Sequence, residues 1–300
     1  MDEHDDWDIV SGVGITALAV AALRAMESTR DDALIDDPYA ESFVTRSGIT
    51  VPMPTRWADL SDSENRSDAD KRWANFWAMT AAYLGVRSRF FDEYFRDVST
   101  AGVRQVVLLA AGLDTRAFRL SWPTRVELFE IDQPKVLEFK DSVLEEQDAL
   151  ASCARHIVPI DLRADWPDAL LHANFDPERP TAWLAEGLLV YLPGTTMEAL
   201  FAHVHQLSAA GSWFATDESG PAIRSRIHDP GFQEFQRRLG LDMATLWPDD
   251  DRPSSGQWFR DHSWQVTTIS RAQAADRYGR MLDEFAGDIM KGTLLTARLT

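Results

Sequence analysis

Four polar signals recur at comparable places along the middle of this 300-residue chain. Ala110, Ala111 and Gly112 end an apolar run that begins at Val103, and Asp132, Asp161 and Glu186 each follow a later apolar run. Small residues let the backbone turn tightly and let a ligand come close. A carboxylate at the end of the next run, about 20 residues on, sits at the interval that nucleotide-binding folds use for ribose hydroxyls. Alternation puts Glu130 on the same side as Asp132, with Asp132 nearer the end of its run. Alone, each of these acids reads as a helix cap or a solvated loop residue. Arriving in order at successive run ends, they read as the rim of a binding site.

That rim requires strands whose carboxyl ends lie side by side. Runs too short for most helices and rich in Val, Ile and Leu predict strands at Val103 to Leu109, Arg125 to Ile131, His156 to Ile160, Thr181 to Leu184 and Ser212 to Thr216. Two more follow at Trp264 to Ile269 and Leu294 to Leu299. Asp114 and Thr115 can cap a helical turn after the first strand, and Pro134 sits well in the first turn of the next helix. Further helices are expected over Trp166 to Leu171, Thr195 to Leu207, Gly231 to Leu239 and Arg271 to Gly279. Ahead of the first strand, Ile9 to Met26, Tyr39 to Thr45 and Lys71 to Phe95 read as helices, the last with an aromatic stripe suited to core packing. Arg87 and Arg89 lie in that helix and could hold a carboxylate by forked hydrogen bonds. Between these helices, Ser47 to Asp70 is polar, either a lid or a segment ordered only by ligand. The alternation predicts an α/β chain with a doubly wound sheet behind a helical N-terminal extension. The expected division is 1–95 as helical extension and lid, and 96–300 as the sheet domain with an insertion around 218–262.

Composition narrows the partners. The 45% hydrophobic and 26% charged content is ordinary for a globular protein, but the formal net charge of −18 is not. Such a surface repels phosphate backbones and anionic bilayers, so neither nucleic acid nor a membrane is an expected partner. Cys153 is the only cysteine, which excludes an intrachain disulfide and a thiolate-rich metal site, and no metal is expected. The apolar run from Val13 to Leu23 follows Asp2, Glu3, Asp5, Asp6 and Asp8, the wrong sign for a signal segment, and a cytoplasmic location is expected. Nothing in the pattern speaks to oligomeric state.

Two ligand classes fit the rim. A dinucleotide calls for three glycines around its pyrophosphate, whereas Ala110-Ala111-Gly112-Leu113-Asp114-Thr115 has one glycine and an acid where the helix should start. An acid there suits a cationic, phosphate-free ligand, which favours S-adenosyl-L-methionine over NAD.

Ala110-Ala111-Gly112-Leu113-Asp114-Thr115-Arg116, Phe129-Glu130-Ile131-Asp132-Gln133-Pro134 and Ala185-Glu186-Gly187-Leu188-Leu189-Val190-Tyr191-Leu192 resemble the successive motifs of the leucine carboxyl methyltransferase family, above all its bacterial branch of S-adenosyl-L-methionine-dependent methyltransferases. The resemblance covers roughly Tyr83 to Asp217. It implies the class I methyltransferase fold, a Rossmann-like seven-stranded sheet with a reversed last strand, and a helical cap. It also implies residue roles. Arg87 takes the cofactor carboxylate, Gly112 faces its methionine part and Asp132 its ribose, with Ala110 also among the cofactor-binding residues. Asp161 and Leu162 hold adenine, and Glu186 lies near the methionine amino group or the transfer site. The expected activity is O-methylation of a carboxylate or hydroxyl on a small molecule. A carboxylate acceptor needs no general base, and an alcohol or phenol does. Glu186 and Tyr191 are the candidates for work at the acceptor, with Asp217, His203 and His205 as further candidate bases. Two other readings stay open: a cofactor-binding regulatory protein without turnover, and an NAD-linked oxidoreductase.

Overall fold

The most apolar of the short runs become central strands because they are covered on both faces. In the computed structural model, which describes residues 9–10, 12–60, 67–219, 227–280 and 291–300, β1 (Gln105–Leu109) and β4 (Thr181–Ala185) are buried at every position. With β2 (Glu127–Asp132), β3 (Ala154–Pro159), β5 (Trp213–Ser219), β6 (Trp264–Ser270) and β7 (Gly292–Leu299) they form one seven-stranded sheet, in the order β3-β2-β1-β4-β5-β7-β6. The first five strands run parallel, and β7 enters antiparallel between β5 and β6. This is the class I methyltransferase arrangement with its reversed last strand.

Register sets the rim. Leu109 lies opposite Ile131, Leu108 opposite Leu184, and Asp132 opposite Pro159. The residues that follow β1, β3 and β4 therefore emerge level with the end of β2.

Helices cover the sheet with large side chains. On one face Phe129, Trp183, Phe201 and Phe214 pack together, and on the other Phe91, Phe95, Val106 and Leu128. Burying each such side chain contributes about 1.5–3 kcal/mol. The second of these layers is supplied by α3 (Asp68–Thr100), which starts where Ser67 accepts the Asp70 N–H and runs five residues past the expected end at Phe95. Its first half joins α1 (Gly12–Ser28), α2 (Ala40–Arg46) and α8 (Pro230–Leu239) in a third cluster through Leu18, Phe43, Trp77 and Phe235. This cluster stands over the carboxyl ends of the strands. The sheet side is completed by the short α4 (Arg116–Arg119), α5 (Pro134–Glu145), α6 (Trp166–His172), α7 (Gly194–Gln206) and α11 (Arg271–Arg277).

Two short helices escape the periodicity, α9 (Met243–Leu246) and α10 (Ser255–Asp261), each started by a side-chain cap from Asp242 or Ser254. Residues 61–66 of the polar Ser47 to Asp70 segment and 220–226 of the expected insertion lie outside the described residues. Within the part of that segment that is described, Met53 is buried against the helical cluster and Arg30 lies 3.9 Å over the Trp57 ring. Among the described residues no helix is long and apolar enough to cross a membrane.

Candidate active site

The sheet order reverses between β1 and β4, and a crevice opens outside the strand ends at such a point. Here it is a cavity of about 1060 Å³. Pockets for single small molecules usually span about 300–1,000 Å³, so this one has room for two partners. Ala110, Gly112, Asp132, Asp161, Leu162, Glu186, Arg87 and Tyr191 all line it.

The turn after β1 is held open by two left-handed residues, Ala110 at φ 52° and Gly112 at φ 49°. A non-glycine residue in that conformation stores strain, which persists only where its surroundings enforce it. Here the Ala111 N–H donates to the Ile131 carbonyl at 2.9 Å and the Gly112 N–H donates to Asp132 Oδ2 at 2.6 Å. Asp132 Oδ1 accepts the Gln133 N–H at 2.7 Å. Burial pushes the Asp132 carboxyl above its ordinary value, against the pull of these two amides. Past β3, Asp161 accepts the Arg163 N–H at 2.8 Å and takes its guanidinium in a fork at 2.7 and 3.0 Å, a pairing that outweighs partial burial and lowers the carboxyl.

Glu186 and Asp217, at the ends of β4 and β5, enter a chain of ion pairs. Arg87 reaches Glu186 at 2.8 Å and Asp217 at 3.4 Å. Arg116 joins Glu186 at 2.7 Å to Asp92 at 2.8 Å and to Asp114, and Arg119 closes on Asp92 at 2.6 Å. Arg271 meets Asp217 at 3.4 Å, and the Gly187 N–H donates to the same carboxylate at 2.7 Å. Burial works against charge on Arg87, but Asp217 and Glu186 outweigh it and hold its pKa above the ordinary value. Four of these groups, Asp92, Arg116, Arg119 and Arg271, carry no pattern in the sequence that marks them. Arg116 adjoins Asp114 and Thr115 at the motif's end, the only local hint.

The structure separates pairs that the sequence left together. Glu130 is fully buried and bound by Lys140 at 2.8 Å and Arg155 at 2.7 Å, so of the two β2 acids only Asp132 faces the cavity. Arg89 pairs with Glu93 at 3.0 Å away from the cavity, because two helix positions apart is a different face from Arg87. His203 lines the cavity edge-on to Trp166, whereas His205 accepts the Trp264 Nε1–H at 3.1 Å beside His262. Tyr191 engages Thr16 and Trp247, and burial raises its phenol above the ordinary range, which unfits it as a base.

Comparison with known proteins bears on this geometry. The family model described as leucine carboxyl methyltransferase matches residues 17–205. A candidate S-adenosyl-L-methionine-dependent methyltransferase from Saccharopolyspora erythraea is 47% identical over 299 residues, covering 99% of both chains. Another so named, from Mycolicibacterium smegmatis, is 43% identical over 310 residues, covering 99% of this chain and 95% of the other. Among solved structures, a candidate methyltransferase from Thermobifida fusca superposes with a TM-score of 0.55 at 15% identity over 94% of each chain. A DUF574-family protein from Streptomyces avermitilis gives 0.53 at 11% identity, over 81% of this chain and 95% of that one. At such identities these two structures establish the shared fold.

Proposed function

This chain belongs to the leucine carboxyl methyltransferase family and is an S-adenosyl-L-methionine-dependent methyltransferase, and from its cavity we propose that it methylates an oxygen of a small molecule. The residues present fit the cofactor. A Cβ placed on Gly112 would meet only the Ala110 carbonyl, 3.9 Å away, so the turn leaves open space at its tip. The rim offers acceptors for a ribose diol and an ammonium, and a guanidinium for a carboxylate; among the described residues its arginines are already paired with acids rather than clustered to attract phosphate. In this reading Arg87 holds the amino-acid carboxylate, Glu186 the ammonium, and Asp132 the ribose hydroxyls. Ala110 and Gly112 shape the floor under the methionine part, and Asp161 and Leu162 hold the adenine edge and face. When bound, S-adenosyl-L-methionine would supply a methyl carbon activated by its sulfonium for displacement by an acceptor oxygen, with the thioether as leaving group.

One observation carries the choice of oxygen. Glu186 is occupied by Arg87 and Arg116, and Asp217 by Arg87, Arg271 and the Gly187 amide. Neither carboxylate is placed to strip a proton from an alcohol or an ammonium, and Tyr191 stays protonated. With these three groups unsuited as bases and His203 packed edge-on against Trp166, the favoured acceptor is one already anionic, a carboxylate or an acidic phenol. The protein's work is then to orient the two partners and to exclude water.

Calorimetric titration with S-adenosyl-L-homocysteine should show one site per chain. Labelled methyl from S-adenosyl-L-methionine should pass to base-labile esters or to phenol ethers when a metabolite extract is added. Absence of binding refutes the cofactor assignment. Transfer to amines or to carbon refutes the assignment to oxygen.

A further inference from the structure

Beyond the strand ends, the cavity is walled by Val13 and Val20 of α1, Phe76 of α3, Phe232 and Phe235 of α8, and Trp247. Their rings are layered: the Phe76 and Phe235 centroids lie 4.8 Å apart, and Phe232 stacks on Trp247 at 5.4 Å with planes 10° apart. None of these six side chains carries charge, in contrast to the rim opposite. A chamber with such walls gains by burying flat, apolar surface.

Among the described residues, several polar atoms that line the cavity lack a partner, and the one on an aromatic ring beside the charged rim is the Tyr83 hydroxyl. Tyr83 is 5% exposed and lines the cavity, yet its hydroxyl has no hydrogen-bond partner among the described residues. Buried hydroxyls are nearly always paired, so an orphan beside a cavity marks a place where a ligand supplies the missing group. The ring cannot easily turn away, because the Arg271 guanidinium lies 4.6 Å over it. Arg271 is itself held by Asp217, the Glu218 carbonyl and Ser219. Tyr83 also sits one helical turn before Arg87, so it faces the same space.

We propose that the methyl acceptor is a flat, apolar molecule with one acidic oxygen group, a carboxylate or a phenol, and that the Tyr83 hydroxyl donates a hydrogen bond to that group. The proposal rests on the reading of the chain as an oxygen methyltransferase. Burial pushes the phenol up to about 12, so Tyr83 is a donor at any working pH and takes no proton from the acceptor. Its part is to hold one oxygen while the aromatic wall holds the skeleton.

The test uses the full chain saturated with S-adenosyl-L-homocysteine, with 2-naphthoate and 2-naphthol as flat apolar probes and acetate as the acid without a skeleton. Calorimetry should show at least one naphthyl probe binding to the loaded protein and acetate failing to bind at the same concentrations. Tyr83→Phe keeps the ring under Arg271 and removes only the hydroxyl. It should weaken the bound probe about tenfold and leave S-adenosyl-L-homocysteine affinity unchanged. Failure of both naphthyl probes on the loaded wild type overturns the apolar acceptor. Equal probe affinity in Tyr83→Phe overturns the role of the hydroxyl. A loss of S-adenosyl-L-homocysteine affinity in the variant instead assigns the hydroxyl to the cofactor. If S-adenosyl-L-homocysteine does not bind the wild type, the reading of the chain as a methyltransferase fails first.

Discussion

Replacing Asp132 by Asn tests the cofactor assignment where two roles overlap in one side chain. The carboxylate accepts the Gly112 N–H at 2.6 Å and the Gln133 N–H at 2.7 Å, and so fixes the turn after β1. An amide keeps one acceptor oxygen and turns an NH2 toward the other N–H, leaving one backbone donor unpaired. That costs about 1–3 kcal/mol of stability in the free protein. If the same carboxylate receives the ribose hydroxyls, the complex loses a further charge-assisted bond, about 1.5–3 kcal/mol, or roughly 10- to 150-fold in Kd. The assay is paired: urea unfolding of the free chain, and calorimetry with S-adenosyl-L-homocysteine. Acidity separates the roles further. Burial raises the Asp132 carboxyl, so its own contribution to folding is present below the ordinary value of 3.8 and is lost as pH rises through the raised one. Cofactor binding has the opposite sign, because ribose hydroxyls donate to the ionised form. Wild-type affinity should therefore fall as pH drops toward the carboxylate range, starting above 3.8, while that of the Asn variant stays flat. Glu130→Gln is the control. It breaks a buried pairing with Lys140 and Arg155, worth about 3–5 kcal/mol, without touching the cavity, so it should destabilise and leave Kd unchanged. An Asp132→Asn variant that is less stable but binds as tightly as wild type would show that Asp132 only ties the loop.

Two other substitutions probe the supporting network. Asp92 is buried, but Arg119 and Arg116 outweigh that burial and hold its carboxyl below the ordinary value, so its stabilisation is present above 3.8 and lost as pH falls through the lowered one. Asp92→Asn should cost about 3 kcal/mol at pH 7, the gap to wild type closing in acid; a gap independent of pH refutes the pairing. Gly187 has φ 66°, and a Cβ there would lie 3.4 Å from Arg87 Nη1. Gly187→Ala should lose about 1–2 kcal/mol of stability and weaken S-adenosyl-L-homocysteine several-fold. Gly240→Ala, at φ 64° with nothing within 4 Å, should show the backbone cost alone. Equal cofactor affinity in the two alanine variants would exclude an effect through Arg87.

What could be read from the chain, and what could not, follows from the range of the forces involved. The strands were legible to within about three residues at each end, most clearly β1 and β4, where burial on both faces demands an unbroken apolar run, a property of consecutive residues. The rim was legible for a related reason. Ala110, Gly112, Asp132, Asp161, Leu162 and Glu186 each stand just past such a run or at its end, and parallel register alone brings them to one cavity. The pairing of Glu130 with Lys140 and Arg155 was not legible, since alternation puts Glu130 and Asp132 on one side and says nothing of the helix that covers the earlier one. Nor was the reach of Arg116 to Asp92, 24 positions away, or of Arg87 to Asp217, 130 away. The contrast between Arg87 and Arg89 was available in principle. Tyr83 and Arg87 are four apart and share a helix face, which two-residue spacing cannot do.

The ion-pair chain explains in charge what the single glycine explains in shape. Arg87, Arg116, Arg119 and Arg271 contribute four guanidinium groups, and Asp92, Asp114, Glu186 and Asp217 four carboxylates, linked without a break from Asp217 to Arg119. Such a network is neutral as a whole, yet it presents both signs at the rim. A pyrophosphate entering there would bring two negative charges to a network whose cations are all matched by its own acids, in a place where unpaired charge is costly. An amino-acid head brings one charge of each sign, so it can exchange partners with Arg87 and Glu186 while leaving the balance unchanged. The acid at the start of the first helical turn belongs to the same account: Asp114 is held to about 2 by Arg116 against its burial, and stays ionised inside the network. A Rossmann-like crevice that binds phosphate must leave its helix N-terminus free for an anion. Here Asp114 already accepts the Arg116 N–H at the start of that turn, at 2.7 Å. On the proposed assignment, selection against phosphate and acceptance of a zwitterion are one property, set by where eight charged side chains are brought together.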